Sequence, residues 1–200
     1  MSSMLISPRR PVVNGSSPSW WKRLLSKRAA PASSSPGPAS TLAPLATRLL
    51  PDGAVIWTEP LSRSEVLHAL VDRAVASVPG LAADEALRRL QERDALGSTA
   101  IGDGVDLPHA RIEGLTAPAL AIGLPQAGLS DAELDSVEVV WLLLLPPGAA
   151  GLGATAQVAR ACRDGAFRSA LREAADPADV RGALARWERA HEPPTALWAT

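Results

Sequence analysis

Two hundred residues, 46% of them hydrophobic, suffice to bury one core and are too few for several large domains. The formal charge of -1 conceals an asymmetry, because residues 1–40 hold six basic side chains and no acidic one, which leaves 14 basic against 21 acidic residues beyond them. An acidic body argues against a nucleic-acid-binding globule. The single cysteine, Cys162, excludes an internal disulfide and a Cys-cluster zinc site. It suits a reducing compartment, so a cytoplasmic protein is expected. Arg9 and Arg10 are followed by Pro11 instead of an apolar segment, which argues against a secretory signal. No apolar run approaches the ~18–20 residues that cross a bilayer as a helix.

Three stretches are expected along the chain: a disordered leader over 1–40, one folded domain over 41–191 and a tail over 192–200. The leader is rich in Ser, Pro and basic residues and buries too little apolar surface to offset its chain entropy. Within it, residues 20–28 (WWKRLLSKR) mix aromatics, leucines and four positive charges. They read either as a segment for peripheral membrane contact or partner docking, or as a sticky piece of linker. Order is expected from Leu42. Asp52-Gly53 marks a turn before a short strand over 54–57. Ser62-Arg63-Ser64-Glu65 has the form of a capping box, and Val66, Leu67, Leu70, Val71 and Ala74 follow at helical spacing until Pro79-Gly80. A second helix runs from about Ala83 and closes at Gly97. Short extended pieces are expected at 98–101 and 105–107, then strands at 119–124 and 137–145. The last is apolar nearly throughout, as for a strand covered on both faces. Helices over 154–162 and 166–174, and one over 177–190 capped by Asp176, complete an α/β sheet with helices on its faces.

Three histidines carry the candidate chemistry. His68 lies off the apolar stripe of its helix and reads as a solvated surface residue. His191 follows the last predicted helix and reads as part of the tail. His109 differs, since it follows the segment Gly102-Asp103-Gly104-Val105-Asp106-Leu107-Pro108, and Pro108 stiffens the backbone before it. An imidazole there can act as a nucleophile toward phosphorus, as an acid, a base or a metal ligand. A metal would need partners, and only Asp103 and Asp106 are near; a serine hydrolase would need a Gly-x-Ser-x-Gly elbow, which is absent. Phosphoryl acceptance needs donors and positive charge around an open nitrogen. Ser98 and Thr99 supply hydroxyls, Gly102 and Gly104 close backbone approach, and Arg93 a guanidinium fork. On spacing alone a satisfied loop histidine is an equal reading. No cofactor is expected.

Residues 92–111 (ERDALGSTAIGDGVDLPHAR) resemble the signature of the enzyme IIA type-2 domains of the bacterial phosphotransferase system, the fructose, mannitol and nitrogen-regulatory class. The resemblance extends more weakly over about 42–191. It implies a mixed central sheet flanked by helices, the mannitol-type phosphotransferase fold. It also implies that His109 accepts a phosphoryl group from a histidine phosphocarrier protein, with Arg93, Ser98 and Thr99 stabilising the phosphate. The acceptor it implies is an enzyme IIB domain or a regulated target protein. Two departures stand out. Residues 148–155 lack the second histidine that the family usually has after its "VP" strand end, and Asp106 replaces a small apolar residue. If the Asp106 carboxylate points at His109 it stabilises the imidazolium and repels phosphate; if it points across the strand the effect is small. These departures admit a non-catalytic regulatory or docking module on the same fold as the alternative.

Overall fold

A computed structural model describes residues 43–191 other than 132 and 135. The basic leader with its patch at 20–28 and the tail at 192–200 lie outside the described residues. The elements run α1 (Leu45–Arg48), β1 (Leu49–Trp57), α2 (Arg63–Ser77), α3 (Ala83–Asp94), β2 (Ala100–Gly102), β3 (Val105–Asp106), β4 (His109–Arg111), β5 (Ala119–Pro125), β6 (Val139–Leu145), α4 (Ala149–Arg163), α5 (Gly165–Arg172) and α6 (Pro177–His191). They form a mixed six-stranded sheet in the order β1-β5-β6-β3-β2, with β4 also paired to β6. β5 and β6 are antiparallel, whereas β1 runs parallel to β5, and β3 and β4 run parallel to β6.

Alternation along β6 explains the layers. Val139, Trp141, Leu143 and Leu145 enter a core shared with α4, α5 and α6, and Val140, Leu142 and Leu144 enter one shared with α2 and α3. With helices on both faces, every residue of β6 and β5 is buried, which is why neither strand shows a polar face in sequence. Each fully covered leucine contributes on the order of 1.5–3 kcal/mol of transfer free energy. Cys162 belongs to the first core, and burial pushes its thiol up to about 12, consistent with a packing residue. Trp141 is fully buried and Trp187 nearly so, while Trp57 lies at the edge of the second core. Gly123 makes room for Trp57: a Cβ there would stand 2.7 Å from its ring.

Several boundaries differ from expectation. α1 is an additional turn, tied to α6 because Glu188 accepts the amides of Leu45 and Ala46. β1 starts at Leu49, and Asp52-Gly53 lies inside it at a break in register with β5, so this is a bulge in a strand and not the turn before one. α4 begins at Ala149, five residues before 154; its glycines mask the start, and Gly151 is needed where a Cβ would meet the Pro146 carbonyl at 2.8 Å. α3 stops at Asp94, with Gly97 at φ +136° three residues on. His191 belongs to the last turn of α6, stacked on Trp187 at 4.7 Å with Nδ1 on the Trp187 carbonyl, and is therefore no tail residue. His68 is exposed, as its place off the stripe predicts.

Candidate functional site

The segment that carries His109 starts with a tight hairpin. Gly102 pairs with Val105, and the two residues between, Asp103 and Gly104, have φ of 53° and 75°. Positive φ at both central positions is the requirement of a type I′ turn, the connection that matches strand twist. Gly104 also lies where a Cβ would stand 3.1 Å from the Ser136 carbonyl. The chain then follows β6 through β3 and β4, and Pro108, which has no N–H, separates the two without breaking their path: its carbonyl accepts from Leu143. His109 therefore opens a strand instead of ending one, and β4, overlooked because a proline precedes its three residues, fixes its backbone.

His109 is half-buried, and both ring nitrogens are engaged. Nδ1 meets the Leu107 carbonyl at 2.9 Å, and Nε2 meets Nε of Arg93 at 3.0 Å. A carbonyl only accepts and a guanidinium only donates, so the pair of contacts assigns the tautomer: hydrogen on Nδ1, lone pair on Nε2. Arg93, near the end of α3, is oriented in turn by donating from Nη1 to the Gly97 carbonyl at 2.9 Å. Burial lowers the pKa of His109, and the Arg93 charge adds to this; the Leu107 hydrogen bond and the charges of Asp94 and Asp106 oppose it. The net direction keeps the ring neutral at physiological pH and Nε2 unprotonated.

The hydroxyls divide. Ser98 is exposed, and its Oγ accepts from the Ala100 amide at 3.1 Å, which leaves the hydroxyl hydrogen to donate elsewhere. Thr99 is 2% exposed. Its hydroxyl donates to Asp106 Oδ1 at 2.6 Å and accepts from Arg63 Nη2 at 2.8 Å. That hydroxyl is committed inside the protein, between Asp106 and Arg63. Asp106, 1% exposed, points away from the ring: residues 106 and 109 fall on opposite faces of the strand path, and its carboxylate takes Nε of Arg63 at 2.5 Å.

Arg63 is the residue that sequence reading passed over. At the first position of α2, behind the capping residue Ser62, it looks like an ordinary helix-start cation, and nothing in sequence links it to Asp106, 43 positions away. Its Nη1 also reaches Asp94 at 2.6 Å. Burial alone would lower its pKa, but Asp94 and Asp106 more than offset this and hold the guanidinium above its ordinary value. Arg63, Asp94, Ser98 and Thr99 line an open cleft together with Asp131, Glu133 and Leu134. Residues 148–155, which contain no histidine, are the N-cap and first turns of α4. Among the described residues no cluster of three or more His, Cys, Asp or Glu side chains is arranged to hold a metal ion, and no helix is long and apolar enough to cross a membrane.

The layered mixed sheet flanked by helices is the fold that the resemblance to enzyme IIA domains implies. Residues 50–187 match the family described as the phosphoenolpyruvate-dependent sugar phosphotransferase system, EIIA 2, and the chain belongs to that family. It is 30% identical over 130 residues to the 2-O-alpha-mannosyl-D-glycerate-specific EIIABC component of Escherichia coli, covering 62% of this chain and only 20% of that much longer one. It is 28% identical over 103 residues to a nitrogen regulatory protein of Pseudomonas aeruginosa, covering 50% of this chain and 67% of the relative. In structure it is similar to the nitrogen regulatory protein IIA-Ntr from Neisseria meningitidis, with a TM-score of 0.61, 22% identity, and coverage of 70% of this chain and 98% of that one. The last likeness speaks for the fold.

Proposed function

We propose that the chain is a phosphoryl carrier in which His109 Nε2 takes a phosphoryl group from a histidine phosphocarrier protein. The group then passes to an enzyme IIB domain or marks the chain for a regulated partner. The observation that carries this reading is the tautomer: Nδ1–H is held by the Leu107 carbonyl, so the lone pair stands on Nε2, facing the arginine. In the transfer, the donor's N–P bond breaks and returns its electron pair to the donor nitrogen while the Nε2 lone pair forms the new N–P bond. No proton need leave the ring. The Leu107 carbonyl stabilises the positive charge that the ring acquires, and the Arg93 guanidinium turns from Nε2 onto the phosphoryl oxygens as they arrive. Ser98, exposed and with its hydroxyl hydrogen uncommitted to the Ala100 amide, would supply a further donor to those oxygens.

A regulatory output is supported by the nitrogen regulatory protein of Bradyrhizobium diazoefficiens, matched over 95% of its own length. The alternative, a module that docks without turning over, is favoured by one feature: residues 148–155 contain no histidine to share the phosphoryl group. Incubation with phosphoenolpyruvate, the first enzyme of the system and its phosphocarrier separates the two. Intact mass should show one acid-labile phosphate that is absent from His109→Ala; no label under conditions that label an active relative overturns the carrier reading.

A further inference from the structure

We propose that Arg63 is a positioning residue for His109, clamping in one guanidinium the two separate supports that fix the imidazole. One support is the end of α3. Arg63 Nη1 and Nη2 bind Asp94 at 2.6 and 3.3 Å, and the preceding residue, Arg93, holds His109 Nε2. The other is the strand path. Arg63 Nε binds Asp106 at 2.5 Å, and the next residue, Leu107, holds Nδ1 through its carbonyl. Thr99 closes the ring between them: its hydroxyl bridges Arg63 and Asp106, and its carbonyl accepts from the Leu107 amide at 3.0 Å.

The fork geometry matters. Arg63 presents donors in three directions within one plane, and a lysine ammonium cannot serve Asp94, Asp106 and Thr99 from those positions at once. Arg63 itself is anchored because its backbone amide donates to Asp131 at 2.5 Å, in the segment before β6. A buried pair of this kind does little for stability relative to apolar side chains of the same size, yet removing one partner leaves an uncompensated charge. Its value here lies in geometry: α3 and β3 are held at one spacing, and Arg93 and Leu107 therefore meet opposite edges of the same ring. The charges whose fields act on His109 are those of Arg93 and Asp94 from α3 and, from the other face of the strand path, Asp106 of β3.

The relevance to phosphoryl transfer rests on the carrier reading, but the first test does not. Nitrogen NMR of the full chain reads the His109 tautomer and its titration without any transfer reaction. The wild type should show hydrogen on Nδ1. In Arg63→Lys, and in the double variant Arg63→Met/Asp106→Ala, which removes the buried charge together with its partner so that the fold survives, the tautomers should mix. Asp106→Asn should lower the His109 midpoint and Arg63→Met should raise it, because the first removes and the second bares a negative charge beyond the ring. In a second test, phosphorylation by the phosphocarrier should slow by up to about a hundredfold in the folded double variant. A folded double variant that keeps the wild-type tautomer overturns the positioning role whether or not the wild type accepts phosphate. Wild-type tautomer loss in the variant with no phosphorylation of the wild type overturns only the carrier reading.

Discussion

The two hydroxyls that stand side by side in sequence should behave as strangers in experiment. Thr99→Val strips buried Asp106 of a donor and Arg63 of an acceptor, so thermal or denaturant unfolding should register a loss of about 1–3 kcal/mol. Ser98→Ala touches an exposed side chain, and its stability should stay within about 0.5 kcal/mol of the parent, with any effect confined to phosphorylation. Equal destabilisation by both would contradict the arrangement around Asp106. His109 gives a second prediction with a definite sign. Its folded pKa lies below the ordinary 6.5, because of burial first and Arg93 second. The rate of phosphorylation should therefore be level above about pH 7 and fall on acidification with a midpoint under the ordinary value. The same depression means that the unfolded chain takes up the proton first. Stability owed to His109 is thus present above the ordinary pKa and lost as pH falls below it. A midpoint above 6.5, followed by the pH dependence of initial labelling rates, would contradict a neutral, partly buried ring.

Helices and strands that carry an unbroken period were readable in advance, and the exceptions have physical causes. α2 announces itself by Ser62 and Glu65, which form both bonds of the capping box, and by its apolar stripe. Ser62→Ala should cost about 0.5–2 kcal/mol in denaturant unfolding. β5 and β6 were readable from apolar runs, whereas β4 is three residues long, follows a proline and has an exposed arginine at its end, so no local signal survives. The first turns of α4 were hidden by Gly148, Gly151 and Gly153, since glycine is the residue that sequence reading takes for a break. Gly151→Ala tests that explanation. An interior helical glycine replaced by alanine ordinarily gains up to about 1 kcal/mol, but here the new Cβ would meet the Pro146 carbonyl at 2.8 Å, and stability should fall. Gly182→Ala in α6 is the control: its Cβ would meet only the mobile end of Arg186 at 3.1 Å, so melting should be unchanged or higher. Arg93 and His109, which meet in the structure, lie within one motif of the sequence, but the Arg63 contacts were not readable, because they depend on how α2 seats against β3.

The two cores share the central strands β5 and β6, so damage to β6 should be felt on both faces. Leu143 is fully buried toward α4–α6, and Leu143→Ala should cost about 2–5 kcal/mol in a single transition seen alike by far-UV dichroism and tryptophan fluorescence. Separate transitions would mean that the helical layers unfold independently. The sheet also sets a rule for changes in chain length. Along β6, Val105 lies beside Val139, Asp106 beside Val140, His109 beside Leu143 and Arg111 beside Leu145, so a single register runs through Pro108 without slippage. Insertion or deletion of one residue between 105 and 109 would rotate the imidazole to the opposite face and strand either Asp106 or Arg93 without its partner. Loop residues outside the ladder, such as Glu113 and Gly114, are not so constrained. Natural or engineered length variation in this chain should accordingly accumulate beyond Arg111 and spare the seven-residue rail on which the histidine rides.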